Sequence, residues 1–419
     1  MNGRALITRR RFMKEAAGVA AGVIAFPYIV SSSALGKADK VAASERVVMG
    51  CIGMGGRGTA NMRAFMGRKE VQVVAVCDVN ANNRSKARHI ANQKYGNKDC
   101  AAYNDFRELV AREDIDAVSI ATPDHWHIIP AIEAAKSGKD VFCEKPLSLT
   151  VAEARETVKA VRRYERVFQM GTQQRSSWNF RFACELVRNR YIGELKTVTV
   201  NVGGPPRPCR LPAQPMPDYV DWNMWLGQAP WRPFNKLLIG TGWAGFYDYS
   251  GGAMTGWGSH HFDIAQWGVD MDDSGPVEII PPDGKDYKVL TYKYANGVIM
   301  TKDKANAILF TGTKGKVEVN RGYLRTWPES LKDVKTGADE IHLYESRDHK
   351  GNFLDCVRTR QRPICDVEIA CRSVSVCHLG NIAYQLRRSL KWDPEREVFV
   401  GDSEADRLLS RPMRSPWRL

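Results

Sequence analysis

The sequence predicts an α/β protein: a doubly wound parallel sheet comes first, and a second α/β domain on a large, mainly antiparallel sheet follows. Three observations carry this. An apolar run over 46–52 stops at the glycine turn Gly53-Met54-Gly55-Gly56-Arg57-Gly58, which opens into a helical stretch from Thr59. Short apolar runs then alternate with helical stretches as far as residue 165, the rhythm of parallel strands joined by crossover helices. Beyond Phe168 the pattern becomes alternating apolar and polar residues broken by hairpin turns, the period of half-exposed strands.

From the N-terminus, Thr8-Arg9-Arg10-Arg11-Phe12-Met13-Lys14 resembles a twin-arginine export motif. An apolar stretch over 16–30 follows, and Ser32 and Ala34 suit signal-peptidase cleavage. A retained membrane anchor is the alternative. The expectation is a signal peptide over 1–34, a linker over 35–45, and passage through the twin-arginine machinery to the periplasm or another extracytoplasmic site.

The parallel domain is expected over 46–165. Gly53, Gly55 and Gly58 fit G-x-G-x-x-G: a tight turn, close backbone approach to a pyrophosphate, and close helix–strand packing. With Met54, Gly56 and Arg57 they form a turn whose free N–H groups at the helix start suit phosphate charge. The next apolar run, 71–77, ends in Asp78, twenty residues past Gly58, where a ribose-binding carboxylate belongs. A polar helix over 80–94 and a short one over 106–112 lead to a buried strand over 117–121. That strand ends at Thr122-Pro123-Asp124-His125-Trp126-His127. A helix over 128–136 and a strand over 141–143 run into Glu144-Lys145-Pro146, and Thr150 with Glu153 caps a helix over 151–164. Thr122, Pro123, His127, Glu144 and Lys145 thus lie at the strands' carboxyl ends, where ligands of such sheets bind.

The second domain is expected over 166–419. A strand is expected over 167–170, followed by Gln173-Gln174-Arg175, which offer donors to sugar hydroxyls or a carboxylate. Val198, Val200 and Val202 alternate with Thr197, Thr199 and Asn201 as a strand does. Asn296-Gly297 marks one hairpin and 313–316 another. An aromatic, glycine-rich insertion spans 222–267, where Trp222, Trp225, Trp231, Trp243 and Trp257 suit either sugar stacking or core. A long helical pattern over 374–390 and a basic tail close the chain.

Composition narrows the function. The chain has 419 residues and a formal net charge of +14, with seven Lys/Arg against two acids in residues 1–40. The remaining basic residues are scattered, without a basic helix or zinc-finger spacing, which argues against nucleic acid. The ten cysteines form no C-x-x-C and read as buried free thiols, not as a metal site or disulfide framework.

Together, the glycine turn, Asp78, Thr122-Pro123…His127 and Glu144-Lys145-Pro146 resemble the Gfo/Idh/MocA oxidoreductases. So do Trp225-Leu226-Gly227-Gln228-Ala229-Pro230-Trp231 and 251–263, the latter ending Gly256-Trp257-Gly258-Ser259-His260-His261-Phe262-Asp263. The resemblance implies a Rossmann domain followed by an α/β domain whose open sheet makes homo-oligomer contacts. It also implies hydride exchange between NAD(P) and a carbohydrate or cyclitol carbon. Removing that hydride requires a base for the hydroxyl proton, and Lys145 sits where the family's lysine does. His260 matches the family's D-x-x-x-H histidine, and Asp263 three residues on is expected to orient it. His261 reads as structural. Substrate contacts are expected from Gln173, Arg175, Trp257 and His260.

One position departs from the family: Gly256 stands where many members carry Asp, so Asp248 or Tyr249 is expected to substitute unless Lys145 and His260 suffice. Asp78 favours NAD over NADP, since it would bond the ribose diol and repel a 2′-phosphate; Arg84 is the nearest arginine to counter it. Three functions stay open: a sugar oxidoreductase, a glycoside hydrolase of the family 109 type working by oxidation, elimination and reduction, and a non-catalytic sugar-binding protein.

Overall fold

The computed structural model describes residues 41–303 and 307–419. The export motif and the signal expected over 1–34 lie outside the described residues, as does the linker up to residue 40. Ala43–Glu45 forms a single 3-10 turn.

From Val47 onward the chain follows the expected rhythm. Strand β1 (Val47–Ile52) leads through the glycine turn into helix α1 (Gly56–Met66), then β2 (Val71–Cys77) and α2 (Ala81–Tyr95). There follow β3 (Ala101–Tyr103), α3 (Phe106–Val110), β4 (Ala117–Ile120), α4 (Ile128–Lys136), β5 (Asp140–Cys143), α5 (Val151–Arg163) and β6 (Phe168–Met170). The six strands form one parallel sheet in the order β3-β2-β1-β4-β5-β6. The order reverses at β1, which pairs with β2 on one side and β4 on the other. A crevice opens at the carboxyl ends of strands at such a reversal, and the glycine turn stands in it. Strand β3 was not foreseen, because three residues, Ala101-Ala102-Tyr103, give no run long enough to register as a strand.

The second sheet begins with β7 (Leu195–Val200), after helix α6 (Trp178–Arg188). The aromatic insertion between β7 and β8 folds into the short helices α7 (Trp222–Leu226) and α8 (Gly252–Gly256), then α9 (Gly258–Val269). Strands β8 (Glu278–Ile280), β9 (Thr291–Lys293), β10 (Ile299–Lys302), β11 (Ile308–Gly312), β12 (Lys316–Asn320) and β13 (Tyr323–Trp327) follow. After helices α10 (His349–Thr359) and α11 (Val367–Leu386) come β14 (Leu390–Asp393) and β15 (Val398–Phe399). These nine strands run in the order β13-β12-β11-β7-β10-β9-β8-β14-β15. Both expected hairpins are present, as β9–β10 and β11–β12. The sheet is not wholly antiparallel: β10 lies parallel to β7, Met300 opposite Val198, because the chain returns to β7 only after the long insertion.

Helix α11 packs against α9 and α5, and so joins the second sheet to the first. It starts earlier than the expected 374, since the Asp366 carboxylate caps it by accepting the Glu368 N–H. It also ends earlier, at Arg387 with φ +54°, which frees Leu390 to open β14. All ten cysteines are free thiols and nine are buried.

Candidate active site

The glycine turn is built for a ligand at its tip. Gly53 has φ +81°, a conformation that side chains strain to adopt. At Gly58 a Cβ would lie 1.7 Å from the Gly53 carbonyl oxygen, so only glycine lets the helix pack on the turn. A Cβ at Gly55 or Gly56, in contrast, would meet nothing within 4 Å: these two face open space. Gly55 caps α1 with no side-chain bond, leaving the helix's first N–H groups for an external acceptor. The turn opens on a cavity of about 740 Å3, within the range of ligand pockets.

Asp78, at the end of β2, lines that cavity. Its carboxylate accepts the Met54 N–H at 2.6 Å and the Asn80 N–H at 2.7 Å, tying β2 to the turn. Burial raises its pKa, and the Asn80 and Met54 amides work against that rise. Arg84 is occupied: its Nη1 donates to the Asp78 carbonyl at 2.5 Å and to Asn104 Oδ1 at 3.1 Å.

Across the cavity stand the ends of β4 and β5. His127 joins them, with Nδ1 at 2.6 Å from the Pro146 carbonyl and Nε2 at 3.0 Å from that of Thr122. Burial lowers its pKa, while the Pro146 carbonyl, Glu144 and the Thr122 carbonyl work against that fall. His127 is therefore a clasp that fixes the Lys145-Pro146 loop against Thr122-Pro123. Glu144 lines the cavity with its carboxylate 3.0 Å from the buried Asn61 Nδ2 and 3.8 Å from Arg57 Nε. Lys145 Nζ donates to the Gly256 carbonyl at 2.9 Å. Thr122 lines the cavity, and its buried Oγ1 has no hydrogen-bond partner among the described residues.

The open cradle at Gly55 and Gly56, the uncapped helix start, the unpartnered Thr122 hydroxyl and the carboxylate of Asp78 form a donor and acceptor set that fits a dinucleotide. Phosphates belong at the turn and a ribose diol at Asp78.

The C-terminal domain supplies the opposite wall. The Trp225 carbonyl accepts from Trp126 Nε1 at 2.9 Å and lies 3.0 Å from His125 Nε2, which fastens the Trp225-Leu226-Gly227-Gln228 segment to the rim. Gly227, at φ +55°, has no room for a side chain: a Cβ would fall 2.2 Å from Trp126. Trp225, Trp243 and Trp257 line the cavity, whereas Trp222 stacks on Trp225 with centroids 4.7 Å apart and Trp231 faces solvent.

Several expected substrate contacts are placed elsewhere. Arg175 is enclosed: Nε is 3.0 Å from both Asp263 oxygens, and Nη1 and Nη2 donate to Asp272 at 2.8 and 2.7 Å. It holds α9 to the start of α6 and does not reach the cavity, and Gln173 is exposed outside it. This pairing also removes Asp263 from His260. The carboxylate that was to orient the imidazole is held by Arg175 and by the Ser373 hydroxyl at 2.8 Å. His260 packs edge-on to Trp257 at 5.6 Å, does not line the cavity, and leaves Nδ1 without a hydrogen-bond partner among the described residues. Burial, then the charges of Lys145 and Arg321, hold its pKa well below the usual imidazole range, so the ring is neutral. His261 is structural, with Nδ1 2.9 Å from the Asn201 carbonyl.

Neither Asp248 nor Tyr249 fills the gap left at Gly256. Asp248 does not line the cavity, and Tyr249 is buried against Trp225 and His125. Besides Asp78 and Glu144, one further carboxyl group lines it: Asp124, whose Oδ2 accepts the Ser250 hydroxyl at 2.7 Å. Burial pushes its pKa up to about 7, while the Ser250 bond and Lys145 favour the ion. Sequence reasoning passed over it as part of a motif. Its signal was a carboxyl directly after Thr122-Pro123, on the rim that already held five candidates.

Asp124 gives a pH-dependent stability. Its folded pKa, about 7, exceeds the unfolded value of about 3.9, so the folded chain holds a proton that the unfolded chain lacks between them. Its contribution is full below about pH 4 and is lost as pH rises through 7. Asp124→Asn keeps an acceptor for Ser250 and removes the ionisation. In dinucleotide-free protein its melting temperature relative to wild type should be higher at pH 8 than at pH 5. An equal difference at both pH values would reject the raised pKa.

Comparison with known proteins agrees with this architecture. The profile of the Gfo/Idh/MocA oxidoreductase family's NAD-binding Rossmann fold matches residues 47–172, and that of the family's C-terminal alpha/beta domain matches residues 207–419. The chain belongs to this family. It is 32% identical over 203 residues to an alpha-N-acetylgalactosaminidase of Shewanella oneidensis, covering 45% of this chain. That alignment spans 44% of the relative's length, so the chain covers less than half of it. Glycosyl hydrolase family 109 proteins from other Shewanella strains match to the same extent. In fold, the chain is similar to the WlbA dehydrogenase from Bordetella pertussis, solved with NADH and UDP-GlcNAcA. The TM-score is 0.58 at 19% identity, over 83% of this chain and 99% of that one. A myo-inositol 2-dehydrogenase from Lactobacillus plantarum gives a TM-score of 0.55 at 19% identity, with the same coverage.

Proposed function

We propose that this protein is an NAD-dependent oxidoreductase acting on a carbohydrate hydroxyl or carbonyl. The observation that carries the reading is one cavity lined by the open glycine turn, Asp78 and Lys145 together. Gly53 to Gly58, Asp78, Thr122 and Glu144 would hold the dinucleotide, whose nicotinamide supplies a hydride acceptor and donor when bound. Lys145, held by the Gly256 carbonyl, takes the proton of the substrate hydroxyl. Asp124 lies in the same wall, its carboxyl bonded by Ser250 and within the electrostatic reach of Lys145. Trp257 offers an apolar face to the sugar ring.

A second reading, hydrolysis by oxidation, elimination and reduction, is favoured by the similarity to an alpha-N-acetylgalactosaminidase. One panel separates the two. Aryl glycosides and free sugars are incubated with the NAD-loaded protein. Net nicotinamide reduction supports the oxidoreductase, and phenol release without net cofactor change supports the hydrolase. Sugar binding with neither outcome rejects both.

NAD is the preferred dinucleotide. The Asp78 carboxylate would repel a 2′-phosphate, and Arg84 is engaged with the Asp78 carbonyl and Asn104. In matched titrations NAD should bind at least about tenfold tighter; equal or tighter NADP binding would contradict this.

The reading extends to location. A protein exported folded by the twin-arginine route would carry its cofactor with it and, away from the cytoplasmic pool, regenerate it within each turnover. Purified without added nucleotide and then denatured, the mature protein should release close to one NAD per chain. Substoichiometric dinucleotide, together with activity that needs added NAD, would defeat that part.

A further inference from the structure

The mouth of the cavity carries more positive charge than the chain neutralises. Arg57 lines it with its side chain 62% exposed, and its nearest carboxylate, Glu144, is 3.8 Å away and already bonded to Asn61. Lys145 lies in the same wall. Arg321, in the turn between β12 and β13, comes from the second sheet and places its guanidinium 4.6 Å from the Trp257 ring centroid. Among the described residues no carboxylate forms an ion pair with Arg321. What acts on it is partial burial and the like charge of Arg57, both opposing its ionised form. His260, 4% exposed, feels Lys145, Arg321 and Arg57 together, and its Nδ1 is unpartnered. Arg57 opposes the charge on Arg321, and Lys145, Arg321 and Arg57 all oppose a charge on His260, so an anion bound near them is favoured.

The cofactor's phosphates account for Arg57, which stands in the first turn of α1 beside the open glycines. They do not account for Arg321. It belongs to the other sheet and rests on Trp257, a ring that lines the cavity and is 36% exposed. A guanidinium stacked on an aromatic face keeps its planar fork free for a carboxylate or phosphate. We propose that Arg321, seated on Trp257 beside His260, is an anion subsite, and that the carbohydrate bound here carries a negatively charged substituent. The proposal rests on the carbohydrate reading above. The shared chemistry is an oxyanion on a sugar, whether a carboxylate or a phosphate ester. Gly256 leaves room for it: a Cβ there would meet nothing within 4 Å.

The test is calorimetric binding to the NAD-loaded protein. The probes are neutral hexoses of gluco, galacto and manno configuration, with the hexuronate and hexose 6-phosphate of each. At least one charged sugar should bind about tenfold or more tighter than its neutral counterpart, with an advantage that shrinks as salt rises. Whether the hexuronate or the phosphate shows it names the source of the charge. Arg321→Gln should abolish the advantage, and Arg321→Lys should restore part of it as a point charge without the fork. NAD affinity should stay within about twofold in both variants, because Arg321 lies outside the proposed cofactor contacts. No preference for charge in any configuration would overturn the proposal, as would a preference that survives Arg321→Gln. A fall in NAD affinity in Arg321→Gln would assign the guanidinium to the cofactor and overturn it as well. In each of those cases, saturable NAD binding with turnover of a neutral sugar would leave the oxidoreductase reading standing.

Discussion

Replacing Lys145 with alanine should lower turnover about a hundredfold or more, the scale of losing a positioned proton-transfer group, while leaving the fold intact. The side chain is only partly buried, and its hydrogen bond is to the Gly256 carbonyl, which solvent can satisfy once the amine is gone. The loop itself is set by His127, which clasps Pro146 to Thr122 without help from the lysine. Melting temperature and NAD affinity should therefore stay near wild type, and the loss should fall on kcat. Full turnover of Lys145→Ala across pH would remove it as the base. A large loss of NAD affinity would make it a cofactor contact instead.

The largest effect on stability should come from Arg175. Its guanidinium is 1% exposed and Asp263 is fully enclosed, so truncating the arginine strands a carboxylate with only Ser373 as a near donor. Breaking a buried ion pair from one side costs about 3–5 kcal/mol. Arg175→Met should show that loss as a lower urea midpoint, and adding Asp263→Asn should recover part of it by removing the stranded charge. If Arg175→Met unfolded at the wild-type midpoint while sugar binding weakened, the arginine would belong to the substrate site after all.

That pair also shows where sequence reading reached its limit. The spacing of His260 and Asp263 places them on one side of a helix, which is all that periodicity can say. Which partner claims the Asp263 carboxylate depends on Arg175, eighty-eight positions earlier in the chain. A long-range ion pair inside a core overrides a neighbour three residues away. Asp124 was obscured differently: its place on the rim was legible, but its raised pKa follows from burial against Ser250 and the insertion, which only folding creates.

What the sequence did carry was local. Gly53 and Gly58 sit where the backbone tolerates nothing else, and Asp78 reaches the turn it was expected to serve. Strands β1, β2, β4 and β5 and helices α1, α2, α4 and α5 were legible because each is a single uninterrupted pattern of one period. The short strands β3, β8, β13, β14 and β15 were not, since two to five residues on a sheet edge or beside a bend impose no period. The parallel β7–β10 pair could not be read from turns at all, because no turn joins those strands.

The central claim is that hydride chemistry occurs in the cavity between the glycine turn and Lys145. The most direct measurement is single-turnover mixing of the NAD-loaded protein with the sugar that the substrate panel selects, followed through the near-ultraviolet absorbance of reduced nicotinamide. The structure predicts a rise in that absorbance within the first turnover, persisting for net oxidation or decaying for a redox-neutral cycle, and nearly absent in Lys145→Ala. Sugar consumed with no reduced nicotinamide at any time, and at the same rate in Lys145→Ala, would contradict it.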